Sequence, residues 1–166
     1  MSGSTNQDVS VIVADYDDPE QAQHVVDMLS AYAQDKMGGG EDLPQHVKDN
    51  LVTALKASQG AFTVLAYTNG HPIGLCNCLA SFSTFACKPV INVHDCAVIE
   101  GNRGKGVAGL MMERVKEVAK ERGCCKVTLE VLVGNDPAKA AYTKAGFKPY
   151  VLHEKYGVAE FWHVYT

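Results

Sequence analysis

Between residues 90 and 133 the chain lays out an apolar stretch, a glycine-bearing turn, an amphipathic stretch and a second apolar stretch. This layout constrains the fold more than any other part of the sequence. Val90 to Ile99 reads as a long strand. Val107, Leu110, Met111, Val115, Val118 and Ala119 then recur on one stripe at helical spacing, and Gly123 supplies a left-handed stop. Lys126 to Val133 reads as the next strand. A strand–helix–strand unit brings the chain back in the same direction, so it puts a parallel pair into the centre of the sheet.

The remaining elements add antiparallel pairing. Ala61 to Tyr67 and Ile73 to Ala80 flank Asn69-Gly70, a hairpin turn whose two residues tolerate positive φ. Val9 to Val13 reads as a strand. Asp18-Pro19 reads as a helix start, a capping side chain followed by proline, and Ala22, Val25, Val26, Leu29 and Ala33 follow at helical spacing. Gly38-Gly39-Gly40 breaks the chain, and a second helix from Pro44 carries Val47, Leu51 and Leu55 on one face. Ser81 to Pro89 reads as a loop or frayed strand end. Asp136 to Lys144 reads as a short helix, and Gly146 to Leu152 and Glu160 to Tyr165 as the last two strands. Residues 1–7 read as a loose polar tail and 8–166 as one domain. The expected fold is α/β, with a mixed, mostly antiparallel sheet flanked by helices on both faces.

Composition narrows the partners. Apolar residues make up 46% and charged residues 20%, a globular balance. A net charge of -4 argues against nucleic acid as the main partner. No apolar run is long enough to span a bilayer and no secretory signal opens the chain, so no membrane partner is expected and the cytoplasm is the default compartment. The six cysteines include no Cys-x-x-Cys pair, which argues against zinc; no metal is expected, and the thiols read as small buried hydrophobes.

The turn Arg103-Gly104-Lys105-Gly106-Val107-Ala108-Gly109 carries the most chemistry. The first amides of a helix lack internal partners and sit at the positive end of its dipole, so they form an anion site. Glycines let a phosphate approach the backbone, and Arg103 and Lys105 add positive charge. The plainer alternative is a glycine-rich connection with solvated basic residues. Gly104, Gly106 and Gly109 also match the dinucleotide fingerprint, with Glu130 about 20 residues on. Against that stand the intervening Glu100 to Arg103, the apolar Val131-Leu132-Val133 after the acidic residue, and too few alternating strands and helices. No Gly-Lys-Ser/Thr occurs, which removes the triphosphatase loop.

Arg103-x-x-Gly106-x-Ala108 resembles the coenzyme A pyrophosphate motif of the GNAT superfamily of N-acetyltransferases. A second block agrees: Asn135-x-x-Ala138-x-x-x-Tyr142-x-x-x-Gly146-Phe147. The element order, with paired helices between the first two strands, is also similar along nearly the whole chain. The resemblance implies a parallel strand pair that splays apart to hold acetyl-CoA. Cys96, Ala97 and Val98 would lend backbone groups to the pantetheine arm, the amides from Gly104 to Gly109 would hold the pyrophosphate, Asn135 would bind the cofactor arm, and Tyr142 would lie near the thioester sulfur. It also implies C-terminal strands that can pair between subunits in a homodimer.

Amine attack on a thioester needs a base to free the amine, donors for the developing oxyanion and an acid for the thiolate. Tyr142 matches the acid, with a core aromatic as the alternative. In Val93-His94-Asp95-Cys96, His94 takes the place of a glutamate common in the superfamily, and Asp95 could tune it. Adjacent residues on a regular strand point to opposite faces, so the two pair only across a bulge; the alternative is a structural histidine. Met37 and Gly38, in the loop between the first helices, and Phe82, Ser83 and Thr84, between two central strands, are expected to face the acceptor. The acidic Glu41 and Asp42 could attract a cationic amine or read as plain surface charge. The expected activity is acetyl-CoA-dependent N-acetylation of a small-molecule primary amine by direct attack. Acetylation of a protein or peptide and a non-catalytic acetyl-CoA-binding module are the alternatives.

Overall fold

The structure, a computed structural model, describes residues 8–166, so the tail expected at 1–7 lies outside the described residues. Five strands form one sheet in the order β1-β2-β3-β4-β5: β1 Val9–Val13, β2 Phe62–Thr68, β3 His71–Ser83, β4 Lys88–Val98 and β5 Lys126–Leu129. The first three pairings are antiparallel and β4–β5 is parallel. This is the mixed sheet expected. It also removes the dinucleotide reading, since a doubly wound domain needs a mostly parallel sheet.

Side-chain alternation builds two cores. Phe62, Val64, Cys76, Cys78, Ile91 and Val93 point to one face and meet Val107, Met111, Met112 and Val115 of α3, Val107–Glu121. Leu65 and Leu75 point to the other face and meet Val25 and Met28 of α1, Pro19–Gln34, with Leu51 and Leu55 of α2, Gln45–Ala57. α4, Asp136–Lys144, lies on the α3 side, where Tyr142 packs against the first core. The local signals hold. Asp18 accepts from the amides of Glu20 and Gln21 and caps α1. Asn69 and Gly70 both take positive φ, 50° and 76°, and Gly123 takes 68°.

Two expectations fail. β5 ends at Leu129, and Val131 to Val133 are exposed outside any strand. The last two strands do not form: past α4 there is a single-turn helix at Glu154–Tyr156 and an isolated bridge between Val151 and Val158. The apolar runs that suggested strands, including Leu152, Phe161, Trp162 and Val164, are exposed. A strand forms only where a neighbour takes its backbone hydrogen bonds, and β5 is too short to offer one. Among the described residues no helix is long and apolar enough to cross a membrane.

Candidate active site

The site starts from unequal strand lengths. β4 pairs with β5 only from Val90 to Val93, yet β4 runs on to Val98. His94 to Val98 therefore present a backbone edge that β5 does not use. Backbone N–H and C=O groups need partners, so this free edge is a ready receptor for an extended ligand carrying amides. β4 then leads through the glycine turn to α3. Gly104 and Gly106 take φ of 74° and 85°, and Gly106 occupies the left-handed position that starts α3 with no side-chain cap. The first amides of α3, at Val107, Ala108 and Gly109, are left without a side-chain acceptor, at the positive end of a 15-residue helix. A Cβ added at Gly104, Gly106 or Gly109 would meet nothing within 4 Å, so the backbone there is open to approach. The turn of residues 99–106 joins the free edge to the uncapped amides. The arrangement suits a ligand with an amide-bearing arm and a phosphate end. Val107 contributes only its backbone, because its side chain is buried in the core. Lys105 is exposed beside the turn.

Arg103 is engaged elsewhere. Its Nε donates to the Val98 carbonyl at 2.8 Å, and its Nη2 pairs with Asp35 at 2.8 Å. Asp35 ends α1 and also accepts from the Met37 amide at 2.9 Å. These two bonds, the amide first, hold the Asp35 carboxyl below its ordinary pKa. The expected phosphate arginine thus ties the glycine turn to the loop between α1 and α2.

Catalytic candidates gather at an irregularity in β4. Asn77 of β3 faces Asp95, but the next residue, Cys78, faces Val93. His94 is the extra residue of a β-bulge, without a partner on β3, and its side chain is exposed. Asp95 is half-buried and accepts from Asn77 Nδ2 at 3.0 Å. Behind it runs a buried polar chain. Thr63 donates to Asn77 Oδ1 at 2.7 Å, which commits its one proton, so the Tyr16 hydroxyl 2.8 Å from Thr63 is the donor there. Three side chains, from β2, β3 and the β1–α1 connection, thus end on the Asp95 carboxylate of β4. Tyr32 of α1 covers the same place; burial first and the Asp95 charge second raise its phenol pKa.

On the opposite face of β4, Cys96 is half-buried and lies 3.3 Å, sulfur to sulfur, from Cys76. Tyr142 of α4 packs against the same core as Cys96 and stacks edge-on against Phe147. Burial first, then the neighbouring Cys96, pushes the Tyr142 pKa far up, so the phenol stays protonated. Ala97 continues the free edge toward Val98.

Other expected residues take different places. Asn135 caps α4, accepting from the Ala138 amide at 3.3 Å. Met37 and Gly38 lie in the α1–α2 loop, next to the Asp35–Arg103 pair. Gly38 packs so close that an added Cβ would fall 1.9 Å from the Tyr32 carbonyl. Phe82, Ser83 and Thr84 are not brought to the site. They form the far end of the β3–β4 hairpin, where Phe82 faces Pro89, and Pro89 lies about 20 Å of strand from Asp95. Their mix of hydroxyls and aromatics reflects an exposed tip. Sequence reasoning missed Asn77, Thr63 and Asp35. Asn77 had a signal, a lone amide inside the apolar run Ile73 to Leu79; Asp35 had none.

Comparison with known proteins agrees with this fold. Residues 25–147 match the family described as "Acetyltransferase (GNAT) family". A streptothricin acetyltransferase from Streptomyces lavendulae is 37% identical over 68 residues, which is 41% of this chain and 36% of that protein. The matched part thus spans about a third of that relative's length. A solved structure of a probable acetyltransferase superposes with a TM-score of 0.75 at 20% identity, over 93% of this chain and 99% of that one. An aminoglycoside acetyltransferase from an uncultured soil metagenomic sample, solved with sisomicin, gives 0.74 at 14% identity, over 95% and 97%. At these identities the two solved structures speak for the fold.

Proposed function

Because the chain belongs to the GNAT acetyltransferase family, we propose that it moves the acetyl group of acetyl-CoA onto a primary amine of a small molecule by direct attack. The observation that carries this reading is the free edge of β4, His94 to Val98, joined by one glycine-bearing turn to the uncapped amides of α3. Acetyl-CoA supplies the activated acyl group and a thiolate leaving group. The edge of Cys96, Ala97 and Val98 would pair with the pantetheine amides, and the amides of Val107, Ala108 and Gly109 would hold the diphosphate.

The two faces of β4 divide the proton work. His94, exposed on the bulge, would take the proton of the ammonium, and Asp95, fixed by Asn77, would draw the cation in. Tyr142, kept protonated by burial, would return a proton to the departing sulfur. A backbone N–H on the free edge would face the charge that grows on the acyl oxygen. Met37 and Gly38 would border the acceptor, in the loop that Arg103 ties to the glycine turn. The small-molecule acceptor is supported by the name of the streptothricin relative and by that of the aminoglycoside enzyme sharing the fold.

The test is release of coenzyme A from acetyl-CoA in the presence of aminoglycosides, streptothricin, polyamines, amino acids or lysine peptides. Turnover with a small amine is expected. Turnover confined to peptides would move the acceptor to proteins, and binding without any turnover would make the protein a sensor.

A further inference from the structure

Cys76 and Cys96 stand directly opposite each other on β3 and β4. Opposed residues of an antiparallel pair have Cα atoms about 4.5–5.5 Å apart, inside the window of about 4.4–6.8 Å that a disulfide spans. Their sulfurs already touch at 3.3 Å, with the Cys76 thiol donating to Cys96. Cys76 is fully buried, whereas Cys96 is half-buried and lies where β4 runs free of β5. The other four cysteines make no such contact: Cys78 bonds only a backbone carbonyl, Cys87 and Cys125 are exposed, and Cys124 packs against the first core.

We propose that Cys76 and Cys96 are a reversible redox pair, and that their disulfide shuts the acetyl-CoA site. With hydrogen peroxide as oxidant, Cys96 sulfur takes one oxygen, giving a sulfenic acid and one water. Cys76 sulfur then attacks Cys96 sulfur; the S–O bond breaks, and hydroxide leaves as a second water with the proton of the Cys76 thiol. Two thiols lose two electrons in all, and the peroxide gains them. The roles follow from the surroundings. The hydrogen bond from Cys76 favours the thiolate at Cys96, while the Cys76 thiol is pushed up by its bond to Cys96 and by burial. Cys96 is the attacking sulfur and Cys76 the resolving one. Once bonded to Cys76, Cys96 presents a disulfide in place of a thiol to the core it shares with Tyr142, and β4 is fixed covalently to β3 within the free edge.

The cross-link stands apart from the acetyl-transfer reading; only its effect on turnover rests on it. The experiment treats dilute protein with hydrogen peroxide, traps free thiols with N-ethylmaleimide, and maps disulfides by peptide mass spectrometry. The expected result is a Cys76–Cys96 peptide that vanishes on adding dithiothreitol and forms more slowly when acetyl-CoA is present. Turnover should fall in step with the cross-linked fraction and return on reduction, while in Cys76→Ala the cross-link does not form and an unresolved sulfenic acid at Cys96, trapped with dimedone, accumulates instead. Absence of that peptide overturns the pair, whether or not the protein acetylates anything. Turnover that stays constant while the cross-linked fraction rises overturns the shut-off.

Discussion

At the scale of single residues, the site depends on two side chains whose surroundings set their chemistry. Tyr142 is a phenol kept from ionising by burial and by its thiol neighbour. A group whose pKa is raised stays protonated as the pH climbs past its ordinary value, about 10 for tyrosine. The acid role therefore predicts no alkaline fall in kcat from Tyr142 up to about pH 10. Tyr142→Phe should lower kcat by about a hundredfold or more with little change in KM, as loss of a general acid does. Steady-state kinetics over pH decide it, and a change in KM alone would leave Tyr142 a contact. Asn77 works through Asp95. Its removal leaves the buried Thr63 without an acceptor and Asp95 without a donor. Asn77→Ala should cost about 1–3 kcal/mol in urea unfolding, and should lower kcat more than it alters KM for acetyl-CoA. A stability loss with kcat intact would make the chain from Tyr16 to Asp95 purely structural.

At the scale of elements, the start of α3 and the end of α1 are joined. Gly106 holds a left-handed φ of 85° with open space around it, so Gly106→Ala tests conformation without a clash. The strain of about 1–2 kcal/mol should turn the first amides of α3 and raise KM for acetyl-CoA, with kcat at saturation nearly kept. Arg103 reaches from the same turn to Asp35. The Asp35 carboxyl lies below its ordinary 3.8 in the folded protein. A depressed carboxyl pKa stabilises the fold above the unfolded value, and that stabilisation is lost as the pH falls through the folded one. Asp35→Asn should accordingly melt lower than wild type at pH 7, and the gap should close as the pH drops below 3.8. Both groups are partly exposed, so the difference is modest and shrinks with salt. Thermal melts at matched ionic strength check it. A gap independent of pH would remove the charge from the account.

At the scale of the whole molecule, one sheet serves two cores. Leu75 points toward α1 and α2, and its neighbour Cys76 toward α3. Removing side-chain volume from either face weakens the shared sheet. Leu75→Ala, at a position 0% exposed, should cost about 2–5 kcal/mol. It should shift a single transition seen alike by circular dichroism and by thiol reactivity of Cys78 on the other face. Two separated transitions would mean that the helical layers unfold independently.

Much of this architecture was legible in the chain. Local rules act over a few residues, and they placed the cap at Asp18, the turn at Asn69-Gly70, the stop at Gly123 and the uncapped start of α3. The order of strands and helices then demanded a mixed sheet with a parallel pair. What tertiary structure alone decided comes from the register between distant segments. The early end of β5 freed the edge of β4, the bulge left His94 without a partner on β3, and the facing of Cys76 with Cys96 brought two thiols into contact. The same pairing put Phe82 to Thr84 far from the site, and left the C-terminal apolar runs with no strand to join. Hydrogen bonding between strands is a choice of partner, and a segment's own residues carry no record of which partner will stop short.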